Sequence, residues 1–439
     1  MDARSQASRI DSIRTKKQYD DCAVLIGADN PDKETLNWLE ENHKYLNFSY
    51  IVYHSVSGET RFGIVHVYED LIKNTETDYV FLIHDDMVLG NHTLSRLLDK
   101  AHLEKTILSS KRVEPPIYPA TPEKIIRPFG LSPSEFKEKE FHELELQVLN
   151  EQKDHAVQGF FAPHFFAKKD WVGYDPVFAP QSREDSDIAQ RFMSEGYTLL
   201  TILDSLVYHF SGKGSRKKNG LSDSEEWKKT NKKNEKNYIR KWKTLMHTQY
   251  ILPVRVDPIP ISAHVLVGDE ADRLYGFLDN VEPYFDEMIF VIDADQPRDV
   301  QDACEKEIRR YVDDQLANGP TNFNGNKFVV MTTHRLDGDF ATQTNRAVKA
   351  CSNEWTMKLD VDEVFPPEFL NQLRLFLSQA IKKNPNLTVV GFPRINTLDG
   401  KISNDIPREH WFTDEFNSYP AQVKNISNPD TQFRLHKKS

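Results

Sequence analysis

Cysteine is scarce in this chain. Its three copies among 439 residues, Cys22, Cys304 and Cys351, lie far apart and show no metal-ligand spacing. A reduced, cytoplasmic protein is the simplest expectation. Long hydrophobic runs are missing as well: no apolar stretch would span a bilayer, and no cleavable signal is read at the start. Nor is there an excess of positive charge. A net charge of -11 argues against general coating of nucleic acid, while leaving room for a local basic groove. What is present is the balance of a soluble globular protein, with 28% charged and 38% hydrophobic residues over a length that suits two domains.

The pattern along the chain divides it accordingly. Residues 1–19 are expected to be a flexible, polar leader, 20–247 a first domain, 248–260 a linker stiffened by Pro253, Pro258 and Pro260, and 261–439 a second domain, cut short at its end. The first domain opens with a buried strand, Asp21 to Gly27, then a helix (33–45), a strand (48–53) and an amphipathic helix with Ile64, Val67, Tyr68 and Leu71 on one face. The second starts over at Ile261–Val267, with a helix through Leu274 and Phe277 and a strand ending at Asp293. Such alternation predicts an α/β fold, two tandem domains each with a mostly parallel sheet flanked by helices. The stretch 112–153 reads as a surface excursion followed by a helix, and the charged stretch 216–243 as a solvated helix closing the first domain.

Two apolar strands run straight into acids: Tyr79-Val-Phe-Leu-Ile-His84-Asp85-Asp86 and Trp355-Thr-Met-Lys-Leu-Asp360-Val-Asp362-Glu363. Ligands on parallel sheets bind beyond the carboxyl ends of the strands. Carboxylates there are costly unless they meet something positive, commonly a divalent cation with open positions for phosphate oxygens. For a lone Asp, helix capping is the favoured explanation; an adjacent pair turns the reading toward metal, with Asp86 the chief ligand. Further on, Arg183-Glu184-Asp185-Ser186-Asp187 opens a helix, where acids complement the dipole. The functional alternative makes Asp185, with Glu184 beside it, a general base for an acceptor hydroxyl. His209 ends another apolar strand, and Lys213 in the loop after it would steady a diphosphate.

The succession His84-Asp85-Asp86, Gly173-Tyr-Asp-Pro-Val-Phe178, Glu184-Asp185-Ser-Asp187, Val207-Tyr-His209 and Asn237-Tyr-Ile-Arg-Lys-Trp242 resembles family-two glycosyltransferases of the GT-A fold. The resemblance covers about residues 20 to 245. It implies an inverting transfer from a nucleotide-diphosphate sugar, dependent on Mn2+ or Mg2+, with Asp86 and His209 as metal ligands and Asp185 as the base. In the DxD position this chain has His84 in place of the first acid, so metal binding rests on Asp86. His84, Asp85, Gly27, Asp29 and Lys213 are expected around the donor. The second domain resembles the same family through Leu359-Asp360-Val-Asp362-Glu363, which implies metal ligation by Asp360 and Asp362 and donor contacts from Glu363, Asp293 and Asn345. Tyr419-Pro through Arg434-Leu435-His436 resembles a later element of that family; no acidic helix start or strand-end His follows.

The expected activity is therefore hexosyl or pentosyl transfer onto a glycan or glycoprotein, in two sequential steps by one bifunctional chain. Covalent linkage would raise the effective concentration of the first product at the second site. A modified nucleic-acid base as acceptor, or a second domain that only binds, are the alternatives.

Overall fold

The structure, a computed structural model, describes residues 22–54, 62–211, 217–218, 222–243, 259–317, 327–335, 339–394, 397–398, 401–402 and 430–438. The expected leader, most of the linker, Lys213 and Tyr419 lie outside the described residues. The chain divides into two compact units; among the described residues the first runs to Tyr238 and the second begins at Ile239. Both are mixed α/β, with parallel strands flanked by helices.

In the first unit, β1 (Leu25–Asp29) and β2 (Ser49–Tyr53) pair in parallel across the helix Lys33–Asn42. Asp32 starts that helix by accepting from the Thr35 amide at 2.8 Å, and Trp38 and Leu39 bury against Ala28, Leu46 and Phe48. The helix Ile64–Asn74 follows. Its buried residues are Val65, Val67 and Ile72, whereas Ile64, Tyr68 and Leu71 of the expected face are half-buried. The single-face pattern fails because this helix is packed on two sides, by β1 and by the turn Pro176–Phe178. Gly27 allows the approach: a Cβ there would lie 2.5 Å from Val67 Cγ1.

The larger sheet of this unit joins β3 (Tyr79–Leu82), β4 (Met87–Leu89), β5 (Thr106–Glu114), β6 (Lys124–Ile126), β7 (Ala156–Gln158), β8 (His164–Ala167) and β9 (Thr198–His209). Its order is β3-β8-β5-β9-β4, with β6 against β5 and β7 against β9. The β5–β9 and β5–β6 pairs are parallel and the remainder antiparallel. A short hairpin, β10 (Lys217–Lys218) and β11 (Ser222–Asp223), precedes the helix Glu225–Trp242.

Two sequence expectations change here. The supposed excursion from Arg112 begins inside β5, whose Ser109, Ser110, Lys111, Arg112 and Glu114 are all buried. These polar side chains are tolerated because they are partnered, as in Ser110 Oγ to Ser205 Oγ at 2.8 Å and Lys111 Nζ to Gln152 Oε1 at 3.0 Å. The charged helix Glu225–Trp242 is solvated on one side only, since Asn234, Asn237 and Tyr238 are buried.

The second unit is built on one six-stranded sheet with the order β14-β13-β12-β15-β19-β16. Its strands are β12 (Ile261–Val267), β13 (Glu287–Asp293), β14 (Lys327–His334), β15 (Trp355–Leu359), β16 (Val389–Arg394) and β19 (Asp430–Lys437); a two-residue pair, β17 (Thr397–Leu398) and β18 (Lys401–Ile402), stands apart. β12 to β15 run parallel, and β19 is antiparallel to both neighbours. The helices Ala271–Val281, Arg298–Ala317, Phe340–Ala350 and Pro367–Lys383 connect the strands. The chain order third-second-first-fourth across β14 to β15 is that of a doubly wound sheet, whose switch point lies between β12 and β15. One continuous core, from Ile261 and Phe290 to Leu377 and Leu435, holds the unit together.

Candidate active site

Strand register assembles the first-unit site. Met87 of β4 lies opposite His209 of β9, Tyr208 of β9 opposite Val113 of β5, and Arg112 of β5 opposite Lys124 of β6. Asp86, His209, Glu114 and Lys124 therefore meet at one edge. Asp86 Oδ2 lies 3.1 Å from His209 Nε2, His209 Nδ1 lies 2.8 Å from Glu114 Oε1, and Lys124 Nζ lies 3.1 Å from Glu114 Oε2. Arg112 adds a guanidinium 3.4 Å from Glu114, donates through Nε to the Ala162 carbonyl at 2.6 Å and covers the Phe161 ring.

These contacts fix the charges. Burial opposes ionisation of Glu114, but the His209 hydrogen bond and the Arg112 and Lys124 cations hold its carboxyl down to about 2. Burial opposes ionisation of Asp86 too, and His209 overrides it, so its carboxyl lies well below the usual range. His209 is pulled the other way: burial disfavours its charge, yet the Asp86 and Glu114 carboxylates raise its affinity for a proton. His84, half-buried beside them, is lowered to about 4 by desolvation and stays neutral near pH 7.

The second acidic element enters from the helix Glu184–Ser194. Its start is unusual: Ser182 and Arg183 both have positive φ, 87° and 68°, which non-glycine residues rarely adopt. Asn234 holds this turn, donating from one buried amide nitrogen to the carbonyls of Phe178, Gln181 and Ser182 at 2.7, 2.8 and 3.1 Å. Ser182 Oγ donates to Asn231 at 2.7 Å, and Arg183 pairs with Glu235 at 2.8 Å. The helix Glu225–Trp242 thus clamps the loop that presents Glu184 and Asp185.

Glu184 is buried, and its Oε2 has no partner. Desolvation and the neighbouring Asp185 charge push its carboxyl up to about 8. Asp185 is half-buried and also raised by desolvation, with the Arg112 cation opposing. Two such carboxyls titrate as a pair, and Glu184, raised to about 8, is protonated at neutral pH. Tyr68 ties the two acidic elements together. Burial raises its hydroxyl far above the ordinary range, and so do the charges of Asp85, Asp185 and Asp86 around it.

Asp86 suits a hard cation. Its Oδ1 is buried without a hydrogen-bond partner, and neighbouring ligand atoms on an octahedral ion with short bonds stand about 3.0 Å apart, close to the 3.1 Å from Asp86 to His209. The carboxylate behind His209 matches the way metal-bound imidazoles are commonly oriented. Among the described residues no group of three His, Cys, Asp or Glu is arranged to hold a metal. An ion on Asp86 and His209 would complete its shell from water and phosphate oxygens.

Gly27 and Asp29 are committed elsewhere. Gly27 makes room for Val67, and the Asp29 carboxylate accepts from the amides of Phe62 and Gly63 at 2.8 and 2.9 Å, tying down the entry to the helix Ile64–Asn74. Lys213 lies outside the described residues. Sequence reasoning missed Tyr68 as a site residue, and with it Arg112, Glu114, Lys124 and Asn234. Asparagine at every third position, Asn231, Asn234 and Asn237, was the available signal for the clamp.

In the second unit, Asp293 and Asp360 stand at the carboxyl edge of the parallel strands. Asp293 accepts from the Asp295 amide at 3.0 Å, and Asn345 is exposed on the helix Phe340–Ala350. Asp360 and Glu363 meet cations of their own chain. Arg434, almost fully buried on β19, reaches Asp360 Oδ2 and Glu363 Oε1 at 2.6 Å each, and Lys358 lies 2.8 Å from Asp360 Oδ1. Burial opposes ionisation of Asp360; the Lys358 and Arg434 contacts prevail and lower its carboxyl. Asp362 is exposed.

No protein-family model matches the chain, and no curated protein matches it in sequence. Solved structures similar to it include GalNAc-T7 with UDP, GalNAc and Mn2+ (14% identity, TM-score 0.36, covering 54% of this chain and 45% of that one). TarS 1-349 of S. aureus with UDP aligns at 12% identity and TM-score 0.35, covering 71% of this chain and 88% of that one. The 4-diphosphocytidyl-2C-methyl-D-erythritol synthase of Anaerococcus prevotii DSM 20548 aligns at 15% identity and TM-score 0.21, covering 42% and 72%. The chain spans less than half the length of the GalNAc-T7 structure. No described helix is long and apolar enough to cross a membrane.

Proposed function

We propose that the first unit is a metal-assisted, inverting glycosyltransferase that moves a hexosyl or pentosyl group from a nucleotide-diphosphate sugar to a hydroxyl of a glycan or glycoprotein. One observation carries this reading: a carboxylate with an unpartnered buried oxygen, Asp86, faces His209 while a second acidic pair, Glu184 and Asp185, shares the surroundings of Tyr68 with it. Asp185 is the group to take the acceptor proton, being the more exposed of the pair. As the acceptor oxygen bonds to the anomeric carbon, the bond to the diphosphate breaks and the proton passes to Asp185. Glu184, kept protonated by burial, does not compete with it. Asp86 and His209 would hold a divalent cation, which when bound neutralises the departing diphosphate. Arg112 supplies a fixed positive charge beside both carboxylate groups.

Two sequential transfers by one chain is the competing reading. Its support is the second-unit edge, where Asp360 follows β15 at the switch point and Asp293 ends β13 on the other side of β12. The test is a nucleotide-sugar hydrolysis and transfer screen with Mn2+ on the wild type, Asp86→Ala, Asp185→Asn and Asp362→Ala. Loss of all turnover in Asp86→Ala supports a single centre, and a donor whose turnover depends only on Asp362 establishes a second. No turnover with any donor would remove the transferase reading.

A further inference from the structure

The two acidic motifs look alike in sequence and differ in what their oxygens touch. In the second unit every carboxylate oxygen of Asp360 and Glu363 already has a donor. Asp360 Oδ1 meets Lys358 at 2.8 Å, and Oδ2 meets Arg434 at 2.6 Å and Lys358 at 3.2 Å. Glu363 Oε1 meets Arg434 at 2.6 Å, and Oε2 accepts from the Asp360 amide at 3.3 Å. Two carboxylates are balanced by two cations, and the Arg434 side chain is only 6% exposed.

We infer that the second unit takes no divalent cation at Asp360, Asp362 and Glu363, because Arg434 and Lys358 occupy the positions an ion would need. An incoming ion would have to displace the forked, two-bond grip of Arg434 and leave that guanidinium buried without a counter-charge. It would also be repelled by Arg434 and Lys358 at close range. Asp362, exposed and outside the pairs, offers a single carboxylate, too little to hold a hard cation that otherwise keeps its water. The charge borne elsewhere by a metal is here built into the chain, and a ligand at this edge would meet Lys358 and Arg434 in place of a metal. The inference rests on the proposed function only in treating both motifs as counterparts.

The experiment is a Mn2+ titration of the intact chain followed by electron paramagnetic resonance, with Mn2+ alone and again with saturating UDP. The variants are Asp86→Ala, Asp360→Asn and Asp362→Asn, each checked for folding by thermal melting. At most one Mn2+ per chain is expected, lost in Asp86→Ala and unchanged within twofold in Asp362→Asn. Asp360→Asn removes a partner of a buried arginine and is interpreted only if it melts normally; exposed Asp362 gives the result that does not depend on it. A second equivalent of Mn2+ that disappears in Asp362→Asn or in folded Asp360→Asn overturns the inference. Absence of any bound Mn2+ leaves this inference standing and contradicts the metal assistance proposed for the first unit.

Discussion

Asp86 and Asp360 both follow an apolar strand, yet one is held in need of a cation and the other is already satisfied. Asp86 has a buried oxygen without a partner and a histidine at 3.1 Å, which a metal can share once the imidazole gives up its proton. Asp360 is gripped by a buried arginine, which cannot lose its proton and does not yield its place to an ion. The difference teaches that an acidic motif reports a metal only through its partners. Those partners lie more than seventy residues away in sequence, on β9 in one case and β19 in the other.

The largest way to sharpen the contrast is at the base. Asp185→Asn is expected to lower transfer by about 10²–10⁴-fold with donor affinity kept, measured by kcat beside nucleotide binding. Loss of donor binding instead would reassign the residue. The pH profile of the wild type should agree. Because burial raises the Asp185 carboxyl, the rate should climb with pH through a limb lying above the ordinary aspartate range. A limb near an unperturbed carboxyl would contradict the packing described for it.

Next in size is Glu114→Gln, which keeps the shape behind His209 and removes the charge. Mn2+ affinity is expected to weaken by about 10–100-fold, read by titration as well as by activity, and Asp362→Asn serves as the comparison that changes nothing. Glu114 also affects stability. Its folded carboxyl is depressed to about 2, so its contribution is present above the unfolded value near 4.5 and is lost as pH falls toward 2. The Gln variant should therefore flatten the acid melting curve in that window.

Asn234→Ala removes the donor shared by three carbonyls of the strained turn. A cost of about 1–3 kcal/mol is expected from unpaired buried carbonyls, seen in denaturant unfolding, together with a drop in kcat larger than the change in KM. A purely structural role would leave kcat of the folded fraction unchanged. The smallest effect on turnover is assigned to Glu184→Gln, whose influence falls on stability. Since the folded carboxyl is raised to about 8, burying the charge-free form costs stability progressively as pH rises from about 4.5 to 8, and the neutral amide should remove that slope.

Much of this was legible in the chain itself. The strands ending at Leu82, Asp293 and Leu359 and the helix Ala271–Val281 follow the pattern of their apolar residues, and the helix Glu225–Trp242 was expected from its charge. Asp86 and His209 were noticed because each sits where an apolar strand stops, and Asp185 because acids cluster in the first turn of its helix. Arg112, Glu114 and Lys124 were not, because a strand of buried polar residues breaks the pattern that identifies strands, and its proline-rich continuation reads as loop. The role of Asn234 depends on a turn whose positive φ values no residue type announced. Arg434 was noticed only as part of a recurring element, since its pairing with Asp360 and Glu363 depends on β19 lying antiparallel beside β15.

The most direct measurement is sugar transfer by the intact chain with Mn2+, comparing Asp86→Ala with Asp362→Ala on whichever donor the wild type consumes. A single first-unit centre predicts that Asp86→Ala abolishes turnover and that Asp362→Ala stays within about twofold of wild type, the size expected for an exposed residue outside the chemistry. Turnover that survives Asp86→Ala and is lost with Asp362→Ala would contradict the account.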